Sequence, residues 1–586
     1  MSGKVAEIRE LLKPEGLADS VAHLWNDWHS QKRAKIDEWK ELRNYVFATD
    51  TSGTTNSELP WRNKTTLPKL CQIRDNLHSN YMAALFPNDD WLKWEAYSSD
   101  EIDADKQEAI QAYMSNKVRE AKTREVISQA VYDFIDYGNC FGDVEFIKEV
   151  HTDDASGEEI TGFVGPRPVR ISPLDICFNP LADSFHNSPK IVRSIKHMGE
   201  LLVDIEENAD GSYLEGKTAE LQELRRRSGS YTEEDFNKAE GFQIDGFGNY
   251  HTYLQSSYVE ILEFEGDAYD PDTGDLLKNH LITVADRRTV LRAVPIPSWQ
   301  RKGTKAHAGW RKRPDNLWAM GPLDNLVGMQ YRIDHLENLK ADAWDMTVFP
   351  MPKITGEVEE FNFGPGEEIH VIDGDVEFMH PDPLFLQADS QIAILERKME
   401  EFVGAPSEAL GIRTPGEKTA FEVGQLASAA SRIFQEKITS FETNYLEPLL
   451  NSMLEIARRS LDMEDVVRVY DDDIGAERFL SIRKEDITAK GKLRPIGARH
   501  FASQQKLAQD LNGLFNSGLT PLIVPHTSRK KLTKLVEDLF QLERFELFSD
   551  NAGVFEDAET QRLMNQVQED MDVEQGIDTD APEEEV

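Results

Sequence analysis

Cysteine is scarce in this chain. Its 586 residues hold three, Cys71, Cys140 and Cys177, far apart and in no CxxC pair. That spacing excludes a disulfide framework and a paired-cysteine zinc site, and all three are expected to be buried reduced thiols. Long apolar runs are missing as well. No stretch of about eighteen apolar residues occurs, so no bilayer-spanning helix and no membrane partner are expected. The opening MSGKVAEIRELLKPEG has neither an apolar core nor a small-residue cleavage site, which points to synthesis in a cytoplasm. Positive charge is in short supply: 65 Lys+Arg against 106 Asp+Glu leave a net −41, with a pI near 4.7 and a mean hydropathy of −0.53. A surface of that sign repels phosphate backbones at long range, which excludes a conventional basic nucleic-acid binder.

Catalytic signatures are also lacking. There is no GxSxG, no HExxH and no acidic pair framed by a glycine turn, and the 14 histidines are scattered. Gly411 to Thr419 (GIRTPGEKT) approaches a phosphate-cradling loop, but Glu417 intervenes between Gly416 and Lys418 and would aim a carboxylate at the phosphate. Two acidic clusters fail the spacing that calcium demands. Glu206, Asn208, Asp210 and Gly211 lead to Lys217 at the twelfth position, where a bidentate glutamate belongs, and Asp270, Asp272 and Asp275 lack the placed glycine. The expectation is no enzyme, with no catalytic residues, no cofactor and no metal.

What is there is a long alternation of helix and strand. At 66.7 kDa the chain has room for about four domains. Trp25, Trp28, Ile36, Trp39, Leu42 and Val46 recur at helical steps and predict one helix from Asp19 to Ala48, its tryptophans in a core or an interface. Further helices are predicted over Thr66 to Phe86, Asp103 to Ala121 and Thr123 to Asp136, ended by Gly138. Alternating Val144, Phe146 and Val150 then open a β-rich stretch. Tyr258 to Phe264 and Leu281 to Val294, flanking GDAYDPDTGD, predict a hairpin, and the polar stretch from Asn208 to Asn249 predicts surface helical excursions.

Leu326, Met329, Ile333, Leu336, Leu339 and Ala343 predict a helix, as do Ile392, Leu395, Met399 and Phe402. Between them Phe349 to Pro383 carries five prolines and four glycines, with strand-like pieces at Glu368 to Ile372 and Asp375 to Met379. After the loop Gly404 to Glu417, a long helical pattern runs through Phe434, Ile438, Phe441, Tyr445, Leu449, Met453 and Ile456. Pro448 is expected to kink it. Strands at Val466 to Tyr470 and Arg478 to Ile482 follow, then helices at Phe501 to Phe515 and Ser528 to Leu547. Glu569 to Glu585 has nine acidic residues and no basic one, and is expected to be disordered. Basic clusters lie at Arg225 to Arg227, Arg301 to Arg313 and Arg529 to Lys534, with solvated loops as the ordinary reading.

This order of elements resembles the portal, or head-to-tail connector, proteins of short-tailed, T7-like bacteriophages. The resemblance is carried by GPLDNLVGMQYRIDHLENLKADAW, by GAPSEALGIRTPGEKTAFEVGQLASAASRIFQEKITSFETNYLEPLLNSML and by KLRPIGARHFASQQKLAQDLNGLF. It implies a predominantly helical α+β portal fold assembled as a ring of twelve. Residues 1–318 would be the wing, 319–345 the first stem helix, 346–389 the clip, 390–403 the second stem helix and 404–417 the tunnel loop. The long wing helix and returning strands would take 418–493, the crown 494–550 and an acidic tail 551–586. It further implies a channel for double-stranded DNA at one capsid vertex of the virion. The implied partners are the terminase large subunit, the tail adaptor, and the major capsid and scaffolding proteins. Candidate channel residues are Arg413, Glu417 and Lys418 on the tunnel loop and Arg397 and Lys398 on the second stem helix. Candidate docking residues on the clip are Lys353, Glu357, Glu359, Glu360, Glu367 and Glu368. Another virion structural protein, such as a tail adaptor or core protein, and more remotely a P-loop packaging ATPase, stay open as alternatives.

Overall fold

The structure, a computed structural model, describes residues 16–86, 91–96, 104–152, 159–207, 213–226, 250–269, 274, 276–296, 303–360, 370–382, 386–403, 433–460, 465–471, 476–482, 487, 491–495 and 562. The chain divides into two compact units, residues 1–468 with 479–498, and residues 469–478 with 499–586. Of the second, only 469–471, 476–478 and 562 are among the described residues. The helices expected at 501–515 and 528–547 and the acidic tail therefore lie outside them.

The first unit begins with α1 (Leu17–Phe47), whose apolar stripe is fully used. Val21, Leu24, Trp25 and Trp28 pack on Phe264, Ile282 and Val284 of a five-stranded sheet. Trp39, further along the same face, joins Phe141, Phe178 and Trp318. The tryptophans are thus core, as helical spacing of aromatics usually implies. The five-stranded sheet is antiparallel throughout and runs in sequence order: β4 (Ile176–Phe178), β5 (Lys190–His197), β6 (Tyr258–Tyr269), β7 (Leu276–Ala285) and β8 (Thr289–Pro295). The single hairpin expected over 258–294 is therefore corrected to a meander. Asp286 and Arg287, both with left-handed φ (48° and 57°), turn the chain inside the segment read as one arm.

A three-stranded sheet pairs β2 (Asn139–Thr152) with β3 (Glu159–Ile171) on one edge and β9 (Ala306–Gly309) on the other. Helices α2 (Lys69–Leu85), α3 (Ala104–Glu120) and α4 (Thr123–Asp136) stand near the expected bounds, with strand β1 (Leu92–Ala96) between α2 and α3 and the short helices α5 (Met198–Glu207), α6 (Lys217–Arg226) and α7 (Tyr250–Gln255) further along. Phe134 of α4 meets Phe441 edge to face at 5.3 Å. The long C-terminal helix has the expected disruption at Pro448, in a specific form. Helical residues 433–441 pass into a π turn, Glu442–Leu446, before α-helix resumes over Glu447–Ser460. Proline lacks the amide that would bond back to Asn444, and the wider turn, in which the Glu447 amide donates to the Glu442 carbonyl, absorbs that loss.

Cys140 and Cys177 are buried free thiols, but Cys71 is only half-buried on α2, with its Sγ 3.9 Å from Asp75 Oδ2. Arg225, read as part of a basic cluster, is withdrawn from the surface. It forms a bidentate pair with Asp286 at 2.6 and 3.1 Å. Lys305, from the middle basic cluster, is likewise buried and pairs with Asp143, Glu263 and Glu265 at 2.8 to 3.1 Å. Charge runs in the sequence do not report where the charges end up.

Candidate assembly and docking surface

Two helices carry a β-hairpin between them. The first, here α8 (Val327–Val348), and the second, α9 (Ala388–Val403), pack side by side and are tied by Lys340, which reaches Asp389 at 2.8 Å. The hairpin strands, β12 (Met351–Glu360) and β13 (His370–Met379), pair with each other and with no other strand among the described residues. Their register sets Met351 opposite Met379, Lys353 opposite Glu377 and Gly356 opposite Gly374. Both glycines have left-handed φ, 115° and 140°. A Cβ on either would run into the facing strand's backbone, at the carbonyl of Asp373 or Thr355, so glycine is required at both.

Apolar side chains along this element are left exposed. Trp344, Val348 and Phe349 at the end of α8, Met351, Ile372, Phe378 and Met379 on the hairpin, and Ile394 and Phe402 on α9 are all between 45% and 77% exposed. A two-stranded hairpin with both faces open is at best marginally stable in water. Apolar groups gathered on such an element mark a surface that a partner covers.

The inner face of α8 departs from the expected apolar stripe. Leu339 is exposed, Met329 and Leu336 are half-buried, and the buried positions include Gln330, Asp334 and Asn338 alongside Ile333 and Ala343. These polar residues, with Asp342, step by four and grip a strap, residues 48–68, that links α1 to α2. Gln330 Nε2 donates to the Leu67 carbonyl at 2.5 Å, and its Oε1 accepts from the Leu70 amide at 3.3 Å. The Leu67 amide donates to Asp334 Oδ1 at 3.0 Å. Asn338 takes both backbone groups of Thr65, at 2.7 and 2.9 Å, and the amides of Arg62 and Asn63 donate to Asp342 at 3.0 Å each. The side chains act as a β-strand edge would, satisfying backbone that has no strand to pair with. Burial pushes the Asp334 carboxyl up to about 6 even though it accepts from the Leu67 amide and from Gln330.

The expected site residues are placed as follows. Arg397 and Lys398 are exposed on α9, and Arg397 already has a carboxylate, Glu401, at 3.3 Å. Lys353 and Glu357 are exposed on β12, with Lys353 3.3 Å from Glu377 across the hairpin. Glu359 and Glu360 belong to the same strand, with their side chains outside the described residues. Arg413, Glu417, Lys418, Glu367 and Glu368 lie outside the described residues altogether. The described residues among these candidates lie on the second helix, α9, and on strand β12 of the hairpin. The polar ladder went unread in the sequence, although four polar residues at strict i, i+4 steps inside an apolar helix were its signal. No group of three or more His, Cys, Asp or Glu among the described residues is arranged to hold a metal ion, and no described helix is long and apolar enough to cross a membrane. No protein-family model matches the chain, and no curated protein matches it either.

Proposed function

We propose that this chain is a portal protein of a short-tailed, T7-like bacteriophage. It assembles as a dodecameric ring at one capsid vertex and forms the channel through which duplex DNA is packaged and ejected. The terminase large subunit, and afterwards the tail adaptor, dock on the hairpin. The observation that carries the reading is the helix-hairpin-helix element with its exposed apolar side chains. A hairpin exposed on both faces with Met351, Ile372, Phe378 and Met379 on its surface needs covering, and copies of the same element arranged in a ring cover one another. Burying one such side chain contributes roughly 1.5 to 3 kcal/mol, so a few per subunit outweigh the entropy of association.

The chemistry of the conduit is electrostatic rather than catalytic. Twelve copies at −41 give about −490. The lumen field decays over about 8 to 10 Å at physiological salt, which keeps moving DNA centred without adsorbing it. Arg397, moderated by Glu401, and Lys398 then serve as weak sliding contacts. Negative-stain imaging with mass measurement of the purified protein tests the reading. A twelve-fold ring with a central channel is expected; a monomer at micromolar concentration would overturn it.

A further inference from the structure

The middle basic run, Arg301 to Arg313, is split by the fold. Lys305 goes into the buried ion-pair network, and the three cations Arg311, Lys312 and Arg313 go to the exposed strand β10 (Arg311–Arg313) of a short hairpin whose second strand is β11 (Asn316–Met320). These three form no ion pair with any described residue, in a chain where carboxylates outnumber cations by 106 to 65. They stand on a rigid floor. Trp310 is 4% exposed, its indole N–H donates to the Tyr81 hydroxyl at 3.0 Å, and its amide donates to the Gly138 carbonyl at 2.8 Å.

The Arg311 guanidinium carbon sits 5.1 Å from the centre of that ring, and Lys437 Nζ, from the helix that emerges after residue 432, sits 5.3 Å from it. Burial, and then the charge of Lys437, hold the Lys312 ammonium below its ordinary range, although Cys140 opposes the shift. The carboxylates beside the cluster are Asp315, exposed in the hairpin turn, and Glu436, 3.7 Å from Lys437. Arg311 and Lys437 thus share one indole ring, Lys437 also bears on Lys312, and Glu436 is the carboxylate that partly offsets Lys437.

We infer that the β10–β11 hairpin, with Lys437, is a phosphodiester-binding site that takes the backbone of duplex DNA. An arginine stacked on an indole keeps its in-plane N–H groups for bidentate contact with phosphate oxygens. Duplex DNA carries one charge per about 1.7 Å of axis, a density that matches clustered cations better than a peptide's carboxylates do. The net charge of −41 keeps the grip short-ranged, so the site holds DNA loosely rather than anchoring it. This inference rests on the reading that the chain handles duplex DNA, but it can fail alone.

The test is fluorescence anisotropy of a labelled 20-base-pair duplex with the full chain, alongside the variant R311A/K312A/R313A and mass measurement of both proteins. Each phosphate neutralised contributes about 0.9 to the salt slope, so four contacts predict affinity falling about 100-fold between roughly 50 and 200 mM salt. The triple variant is expected to bind at least about tenfold more weakly, with a slope lower by about three, and with unchanged assembly. Equal binding by variant and parent, or no binding by the parent, would overturn the site. A variant that lost assembly instead would also overturn it, by assigning the patch to a contact between copies. Ring formation by the parent in the same samples reports separately on the portal reading.

Discussion

The sheet body and the helix-hairpin-helix element treat polar and apolar groups in opposite ways. In the body most apolar residues are covered by the chain itself, although Ile195 and Tyr258 stand exposed on the five-stranded sheet, and several buried charges are matched. Arg287 and Glu260, both 0% exposed, form a bidentate pair at 2.8 Å for each bond, and Asn26 of α1 accepts a further bond from Arg287 at 2.9 Å. Lys305 and Lys190 hold the Glu265 carboxyl down at about 2 in spite of its burial. In the helix-hairpin-helix element α8 meets the strap through polar side chains, several large apolar groups stay exposed while Ile333, Ile392 and Met399 are buried, and burial pushes Asp334 up to about 6. The proposed ring assembly would cover the second set of exposed groups, and the comparison between the two regions is a test of that proposal.

The largest expected effect breaks the completeness of the body. Arg287→Met leaves Glu260 charged and dry, and losing one member of a buried pair costs about 3 to 5 kcal/mol. The outcome is a large drop in the denaturant midpoint of the purified protein. A midpoint within error of the parent would mean that the pair is dispensable and that the body is not closed by matched charge.

The next effect is read through pH and isolates one joint of the second region. A carboxyl whose folded pKa is raised from about 4 to about 6 favours the folded state in its protonated form. Its contribution is therefore full below about pH 4 and is lost as pH rises through about 6. Asp133, bidentate with Arg170 yet also raised to about 6 by burial, acts in the same direction, whereas Glu265, held at about 2, is lost only in strong acid. Asp334→Asn isolates the strap joint, since the amide keeps an acceptor for the Leu67 amide and cannot ionise. It is expected to be nearly neutral at about pH 4 and stabilising by at most about 3 kcal/mol at about pH 7.5, read from thermal or denaturant unfolding. An equal effect at both pH values would remove Asp334 from the pH dependence.

That joint also marks where the sequence stops being informative. Helices α1, α2 and α4 were legible because their apolar stripes are buried by their own chain, and the Pro448 disruption was legible because a missing amide is a local fact. The strap was not. Residues 48–68 carry no periodicity, and their conformation is set by side chains of α8 some 260 to 280 positions away. The stripe of α8 was read as one apolar face, but periodicity gives a face without saying what covers it. Leu339 and Phe402 sit in register with buried Ala343 and Met399 and are nonetheless exposed. The basic run from Arg301 to Arg313 taught the same lesson for charge, with Lys305 taken inside and Arg311 left out.

The smallest expected effect on stability is the sharpest test of incompleteness. Val348 is 77% exposed and Met379 is 51% exposed. Replacing both with serine removes contacts that the isolated chain scarcely makes, so the unfolding midpoint should move by no more than about 0.5 kcal/mol. If a second copy covers these positions, the same change removes buried area from every subunit contact, at roughly 25 cal/mol per Å² on both sides of a repeating interface. Sedimentation or mass photometry should then show assembly shifting to higher protein concentration, with the monomer's fold intact. Should the double variant destabilise the monomer while leaving association unchanged, the exposed junction would be part of the chain's own packing, and the contrast between the two regions would collapse.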